Sequence, residues 1–507
     1  MITFQHVSFS YDSHGEQKAG QRTEDLQDIN LTVHDGECVL LSGKSGCGKT
    51  TMTRLVNGLV PHFYPGKLCG EVLLDGRNVS EMPMYETASL VGSVFQNPRT
   101  QFFNIDTDSE IAFGLENRAF PREQIEEKVA TAAKDLKIEN LRGRNIFSLS
   151  GGEKQKIAFA SVYAMNPSVY LLDEPSSNLD MESVASLQSH LKMLKSQGKT
   201  ILIVEHRLHY LMDIADRIIV LNEGRIKKDY SAKEFLTLSD DERRSMGLRT
   251  ADLRKEFPLV TAGKEQETRL ELKNVSLFYK KKPVLENINE KFSQGEVIAL
   301  VGKNGAGKTT FSRALCGLHK EIKGDFLRDG RILSKKTRQK ISYMVMQDVN
   351  YELFAESVEA ECTFGIKNPD ADLVAETMDA LGLTPFSERH PGTLSGGQKQ
   401  RLAVAVGQVC KKELILFDEP TSGLDYESME RVAKIVRKLS EQGKILFIVT
   451  HDYEFFCRTC SRMLVFSDGE IHCDLQCRAE NKEEIRQLFF STAGEKQSGN
   501  KEGDCFA

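Results

Sequence analysis

The chain carries one sequence pattern twice, and that duplication constrains its fold more than any other feature. GKSGCGKTT at 43–51 returns as GKNGAGKTT at 302–310, and YLLDEPSSNLD at 170–180 returns as ILFDEPTSGLD at 415–425. From LSGGEKQ (149–155), which returns as LSGGQKQ (394–400), the copies run in step. Ser150, Asp173 and His206 each lie 245 positions before Ser395, Asp418 and His451. Upstream the separation is wider, 259 at the glycine-rich segments and 251 between Gln96 and Gln347. The first copy therefore holds extra residues on both sides of Gln96, which are expected in loops. A period this long describes a duplicated domain, not a solenoid of short repeats. At 507 residues each copy is long enough to close a core of its own.

Within each copy, short apolar runs alternate with amphipathic stretches of helix length. CVLLS (38–42), VYLLD (169–173), TILIV (200–204) and RIIVL (217–221) are apolar throughout, as parallel strands covered on both faces are. The alternation predicts α/β layered domains. We place the first domain at 1–237 and the second at 269–477. Between them, 238–268 is charged and without sustained periodicity, and reads as a linker. The polar tail, 478–507, is expected to end in disorder.

Composition serves to exclude. The formal net charge is −6 with no basic tail, which gives a nucleic-acid partner no electrostatic support. No apolar stretch approaches the roughly 20 residues that span a bilayer. The opening MITFQHVSFSY alternates like a strand and lacks the layout of a signal peptide. The 11 cysteines follow no framework, and a reducing cytosol is the simplest setting. Cys457, Cys460, Cys473 and Cys477, beside His472, have loosely zinc-like spacing. The first copy, however, has Ala215 where the second has Cys460, and alanine ligates nothing. These cysteines read as small apolar positions.

Gly43, Gly48, Lys49 and Thr50 follow a strand pattern and open a helix pattern, the context a phosphate-binding loop requires. Backbone N–H groups of Gly43, Lys44, Ser45, Gly46, Cys47, Gly48 and Thr51 would curl around an anion, helped by the positive end of the helix. Lys49 would reach the β- and γ-phosphates and Thr50 would ligate Mg²⁺. The second copy offers Gly302, Lys303, Asn304, Gly305, Ala306, Gly307, Lys308, Thr309 and Thr310. Asp173 and Asp418 end apolar strands and are candidate Mg²⁺ carboxylates, since this ion keeps several waters and needs few protein ligands. Glu174 and Glu419 are then free to act as general bases on water. His206 and His451 follow their glutamates by 32 residues in both copies, placed to donate to a γ-phosphate. Gln96 and Gln347 offer a side-chain carbonyl to the metal. Tyr11 and Tyr279 end the opening strands and are candidates to stack on adenine.

Phosphate loop, glutamine, LSGG, Asp-Glu, SSNLD or TSGLD, and histidine, in that order, resemble the ATP-binding cassette ATPases. The resemblance implies two tandem P-loop NTPase domains of α/β class. Each would have a parallel-sheet core, an antiparallel β subdomain and a helical subdomain carrying LSGG. It further implies that LSGG completes the partner domain's site. Ser150, Gly151 and Gly152 would cap ATP held by Lys308, and Ser395, Gly396 and Gly397 would cap ATP held by Lys49. Both domains lie on one chain, so the pairing is intramolecular, with ATP as a clamp.

The segments 57–76, 94–117 and 345–366 are similar to those of the fused ATPase component of energy-coupling factor transporters, importers of vitamins or metal ions. That resemblance implies two partners, a transmembrane coupling protein and a small membrane substrate-binding protein. It places the ATPase on the cytoplasmic face of the membrane, without contact to the transported substrate. Phe102 and Phe103, with NYELF at 350–354, are the expected docking residues. Two alternatives stand beside it: the tandem ATPase of a sugar importer, and a cytosolic cassette ATPase acting on ribosomes or DNA.

Overall fold

The structure, a computed structural model, describes residues 1–12, 25–177, 179–258 and 267–491. Both copies build the same pair of sheets. In the first half a six-stranded sheet runs in the order Arg225–Ser231, Arg217–Asn222, Cys38–Gly43, Thr200–Val204, Val169–Asp173, Val91–Val94. All neighbours are parallel except the edge hairpin of Arg217–Asn222 with Arg225–Ser231. In the second half Val297–Gly302 is likewise flanked by Ile445–Val449 and Arg462–Ser467. A four-stranded antiparallel sheet, with Ile2–Tyr11 or Thr268–Tyr279 inside, packs against each.

The continuous apolar strands are explained by what covers them. Along Cys38–Gly43, Cys38 and Leu40 join the core beneath the helices, while Val39 and Leu41 join the core beneath the antiparallel sheet. Ala299 and Leu300 divide in the same way in the second half. Burying a leucine-sized side chain in such a layer contributes about 1.5–3 kcal/mol, so a polar residue on either face would be costly.

Three sequence expectations need correction. The extra residues near Gln96 are not confined to loops: the helix Arg122–Asp135 has 14 residues and its counterpart Ala371–Ala380 has 10. The two helices end in step, and the extra turn is REQI at 122–125, which contains neither glycine nor proline and starts directly after Pro121.

The charged stretch 238–268 is not a free linker where it is described. It forms the helix Asp240–Ser245, capped by a reciprocal Ser239–Glu242 box, and a 3₁₀ turn at Leu253–Lys255. Leu248 and Ala251 enter the first half's core, and Leu253 enters the second's. Its short buried runs are too irregular to show a period, because two separate domains bury them.

The second domain also continues past 477. The helix Lys482–Ser491 buries Ile485 and Phe489, the latter against Tyr453 and Phe456. The expected disorder at the chain end concerns 492–507, outside the described residues. Cys457, Cys460 and Cys477 are buried in this second core, and Cys473 packs against it. Among the described residues no cluster of three or more His, Cys, Asp or Glu side chains is arranged to hold a metal.

Candidate active site

Each phosphate loop leaves a central strand of the parallel sheet and enters a helix, Lys49–Val56 or Lys308–Leu315. Gly48 and Gly307 cap these helices with φ of 100° and 98°, a left-handed conformation that favours glycine. A Cβ on Gly48 would also lie 2.5 Å from the Leu26 side chain. The lysines curl back into their loops. Lys49 Nζ donates to the Gly43 and Lys44 carbonyls at 2.9 and 2.8 Å, and Lys308 Nζ to those of Gly302 and Lys303 at 2.6 and 2.9 Å. Phosphate oxygens entering the loop would take over these donors.

Thr50 Oγ1 donates to Asp173 Oδ1 at 3.3 Å, and Thr309 Oγ1 to Asp418 Oδ2 at 3.1 Å. Burial pushes both aspartates above the usual carboxylate range. A hydroxyl beside a carboxylate that has lost its hydration is a hard-oxygen set suited to a small divalent cation.

The adjacent glutamates are held in strained backbone. Glu174 and Glu419 have φ of 45° and 53°, a region costing a residue with a Cβ on the order of 1 kcal/mol or more. Their amides are anchored to Val204 O and Val449 O at 2.8 and 2.9 Å. Burial, with Asp173 and Asp418 next to them, raises both carboxyls to about 8. Gln96 Nε2 donates to Glu174 Oε2 at 2.7 Å, and Gln347 lines the second site.

His206 Nε2 lies 3.5 Å from Glu174 Oε1, and His451 Nε2 lies 3.6 Å from Glu419 Oε1. These are ion-pair distances, yet burial holds both rings neutral, His451 down to about 3. With neutral rings neither contact is an ion pair, and His206 Nε2 has no hydrogen-bond partner. A buried, unpartnered ring nitrogen beside the glutamate is suited to a donor that completes its bond only when a phosphate arrives.

Each loop is faced by the opposite half. Ser150 and Gly151 line a cavity of about 280 Å³ with Lys308, Thr309, Gln347, Asp418, Glu419 and His451. Ser150 and Ser395 start the helices Gly151–Met165 and Gly396–Val409 with reciprocal capping boxes, so both serines stand at positive helix ends. This answers to the two glycines of LSGG: a Cβ on Gly151 would meet nothing within 4 Å, whereas one on Gly152 would lie 2.9 Å from Ser183 Oγ.

Further contacts cross in matched pairs. Asp425 Oδ2 accepts from Ser45 N at 2.6 Å, and Asp180 Oδ2 from Asn304 N at 3.4 Å. Lys44 pairs with Glu427 at 2.7 Å and Lys303 with Glu182 at 3.1 Å. Gly423 approaches the first site so closely that a Cβ there would lie 2.9 Å from Glu174 Oε2.

Sequence reasoning missed Asp180 and Asp425, although their identical place in both copies was a usable signal. It missed Val284, which lines the second site, and Glu205, discussed below. Tyr11 is not free to one side of the site. Its hydroxyl contacts Thr51 Oγ1 at 3.2 Å and accepts from Arg54, and its ring meets Phe9 edge-on. Tyr279 is exposed, with Lys280 near its ring. Asn178, which with Gly423 marks the visible difference between the SSNLD and TSGLD loops, lies outside the described residues.

Two loop–helix phosphate cradles, each with a strand-end Asp-Glu pair and each closed by the other half, define a P-loop nucleoside triphosphatase with two shared sites. The chain belongs to the ABC transporter family, whose pattern it matches over residues 26–177 and 285–422. It is 48% identical over 497 residues to a protein of Treponema denticola with the provisional name ABC transporter ATP-binding protein, covering 97% of this chain and 100% of that one. A Methanosarcina mazei protein of the same name is 31% identical, covering 94% of this chain and 88% of its own length. Among solved structures, an archaeal ribosome recycling factor, aABCE1, in complex with a ribosomal stalk protein superposes with a TM-score of 0.66. That match has 24% identity, covers 95% of this chain and 94% of the other, and speaks for the fold alone.

Proposed function

We propose that the chain hydrolyses ATP at both shared sites to drive a membrane importer of the energy-coupling factor type, taking up a vitamin or metal ion. In each site the glutamate accepts a proton from water as the water oxygen bonds to the γ-phosphorus. The bond from that phosphorus to the bridging oxygen breaks, leaving ADP and inorganic phosphate. The loop lysines and the helix ends at Ser150 and Ser395 hold the phosphates, and His206 and His451 donate to the γ-phosphate. Thr50, Asp173 and Gln96, or Thr309, Asp418 and Gln347, would hold Mg²⁺, which would supply charge neutralisation of the phosphates. Hydrolysis removes the γ-phosphate contacts that bridge the halves, and their separation is the mechanical output.

The observation that carries the transport reading is a duplicated exposed aromatic just beyond each glutamine. Phe103 is 74% exposed and Phe354 70%. They share the 251-residue separation of Gln96 and Gln347. Each is presented by a fixed loop: the buried Glu110 accepts from Phe103 N at 3.0 Å and the buried Glu361 from Phe354 N at 2.7 Å. Phe113 stacks on Phe103, and Phe364 is exposed in the second half. Phe102, by contrast, is partly buried against the first core, so the docking residue is Phe103. Exposed aromatics on both halves, tied by short segments to Gln96, which contacts Glu174, and to Gln347, which lines the second site, suit docking of short helices from a transmembrane coupling protein.

That protein would hold a small substrate-binding membrane protein and keep the ATPase on the cytoplasmic face. Among the described residues no helix is long and apolar enough to cross a membrane. The test is Phe103→Ala with Phe354→Ala, each anchor costing about 2 kcal/mol or more on truncation. Co-purification with membrane protein from detergent extracts should be lost while ATP affinity is kept. Undiminished co-purification would place docking elsewhere, and sedimentation of the parent with ribosomes instead of membranes would favour the cytosolic alternative.

A further inference from the structure

Arg249 lies in the connector between the halves, more than 90% buried, and none of the roles above uses it. Its Nη2 donates to both carboxylate oxygens of Asp452 at 2.5 and 2.6 Å, and its Nε to Glu454 Oε2 at 3.0 Å. Asp452 follows His451 directly and caps the helix Tyr453–Thr459. Its Oδ2 also accepts from Thr421 Oγ1 at 2.8 Å. Thr421 belongs to the loop that starts at Glu419 and reaches the first site at Gly423. Ser422 of that loop donates to Ser177 O of the first half at 2.6 Å. One guanidinium thus stands behind the histidine of the second site and behind the loop that joins both sites.

The connector is itself fixed on both sides. Gly247 O accepts from Tyr426 N at 3.3 Å, and Gly247 packs on the Lys44 side chain of the first phosphate loop. Among the described residues no connector residue plays this part in the first half. The position equivalent to Asp452 is Arg207, whose Nη1 donates to Ser176 O and Leu179 O at 3.4 and 3.2 Å within its own domain.

We propose that Arg249 is a positioning residue for ATP hydrolysis. The connector completes the catalytic assembly by locking the Asp452 carboxylate, which sets both His451 and the Glu419–Asp425 loop. A planar guanidinium can bind Asp452 through both oxygens and Glu454 at the same time, whereas an ammonium cannot reproduce that fork. Burial pushes the Asp452 carboxyl up, but Arg249 and Arg207 together hold it down at about 2, so it remains an acceptor throughout. The proposal rests on the ATPase activity and not on what is transported. It is tested without any membrane partner, so failure of the importer reading leaves it standing.

The test uses the full chain with Arg249→Lys, Arg249→Met, and the triple variant Arg249→Met/Asp452→Asn/Glu454→Gln, which removes the buried charges together. Tm, kcat and KM for ATP are measured for each. Arg249→Lys should fold with a Tm near the parent's. Its kcat should fall about tenfold to a hundredfold, as expected when a catalytic loop is misplaced by an ångström or so, with KM nearly unchanged. The triple variant should recover Tm relative to Arg249→Met without recovering kcat. A folded Arg249→Lys with kcat within twofold of the parent would overturn the proposal. So would a rise in KM at constant kcat, or a triple variant that regains Tm and kcat together.

Discussion

The segments around the two site histidines solve one problem in two ways. In the first half the loop reads Glu205-His206-Arg207, in the second Thr450-His451-Asp452. Glu205 is buried and accepts from Ser176 N, His206 N, Arg207 N and the Tyr210 hydroxyl at 3.2, 2.7, 3.1 and 2.8 Å. The first loop is therefore held from inside its own domain. The second has a small Thr450 at that position and is held by Asp452, which depends on Arg249 from the connector. Equal motifs at the phosphates thus rest on unequal supports. The lesson is that duplication keeps the chemistry fixed while the scaffold behind it diverges.

The largest expected effect tests whether the sites remain equal in spite of this. Glu174→Gln or Glu419→Gln alone should lower ATP turnover by about 10² to 10⁴, the usual cost of losing a general base, because each opening needs both clamps to release. Turnover near the parent's in one of the two variants would show that only the other half works.

The same variants sharpen the comparison through pH. Both glutamates titrate near 8 in the folded chain against an ordinary 4.5. Between those values the folded state keeps protons that the unfolded chain has lost, so stability falls as pH rises. His206 and His451 are held below their ordinary 6.5 and lose stability only under that value. From pH 6.5 to 8 the parent's Tm should therefore drop more steeply than that of either glutamine variant, and parallel curves would remove burial as the cause.

A smaller effect writes the second half's residue into the first. Glu205→Thr leaves several buried donors without an acceptor and should cost about 2–4 kcal/mol by urea unfolding. Glu205→Gln, which keeps one acceptor oxygen, should cost less. No loss in either would mean that the first loop, too, is held from outside.

The phosphate loops, the Asp-Glu pairs and the histidines were legible in the sequence because local chemistry demands those residue types and the repeat shows each of them twice. The two-faced burial of strands such as Thr200–Val204 was legible for a similar reason, since uninterrupted apolar residues state their surroundings. What stayed hidden depends on partners far along the chain. Arg249 looks like any linker arginine until Asp452 and Glu454, over 200 residues away, close around it. Leu248, Ala251 and Leu253 divide between two cores, which no single period can display. Phe102 and Phe103 are adjacent and identical in type, and only packing decides that the second is the exposed one.

The central claim is that each ATP site is built by both halves of one chain. It is tested most directly by a photoreactive benzophenone side chain placed at Gly151, where a Cβ meets open space and the neighbouring cavity contains Lys308. After irradiation with ATP present, peptide mapping should join position 151 to residues 302–310 of the same chain, independent of protein concentration. Links to residues 43–51 of its own half, or links found only between separate chains, would contradict the shared-site account.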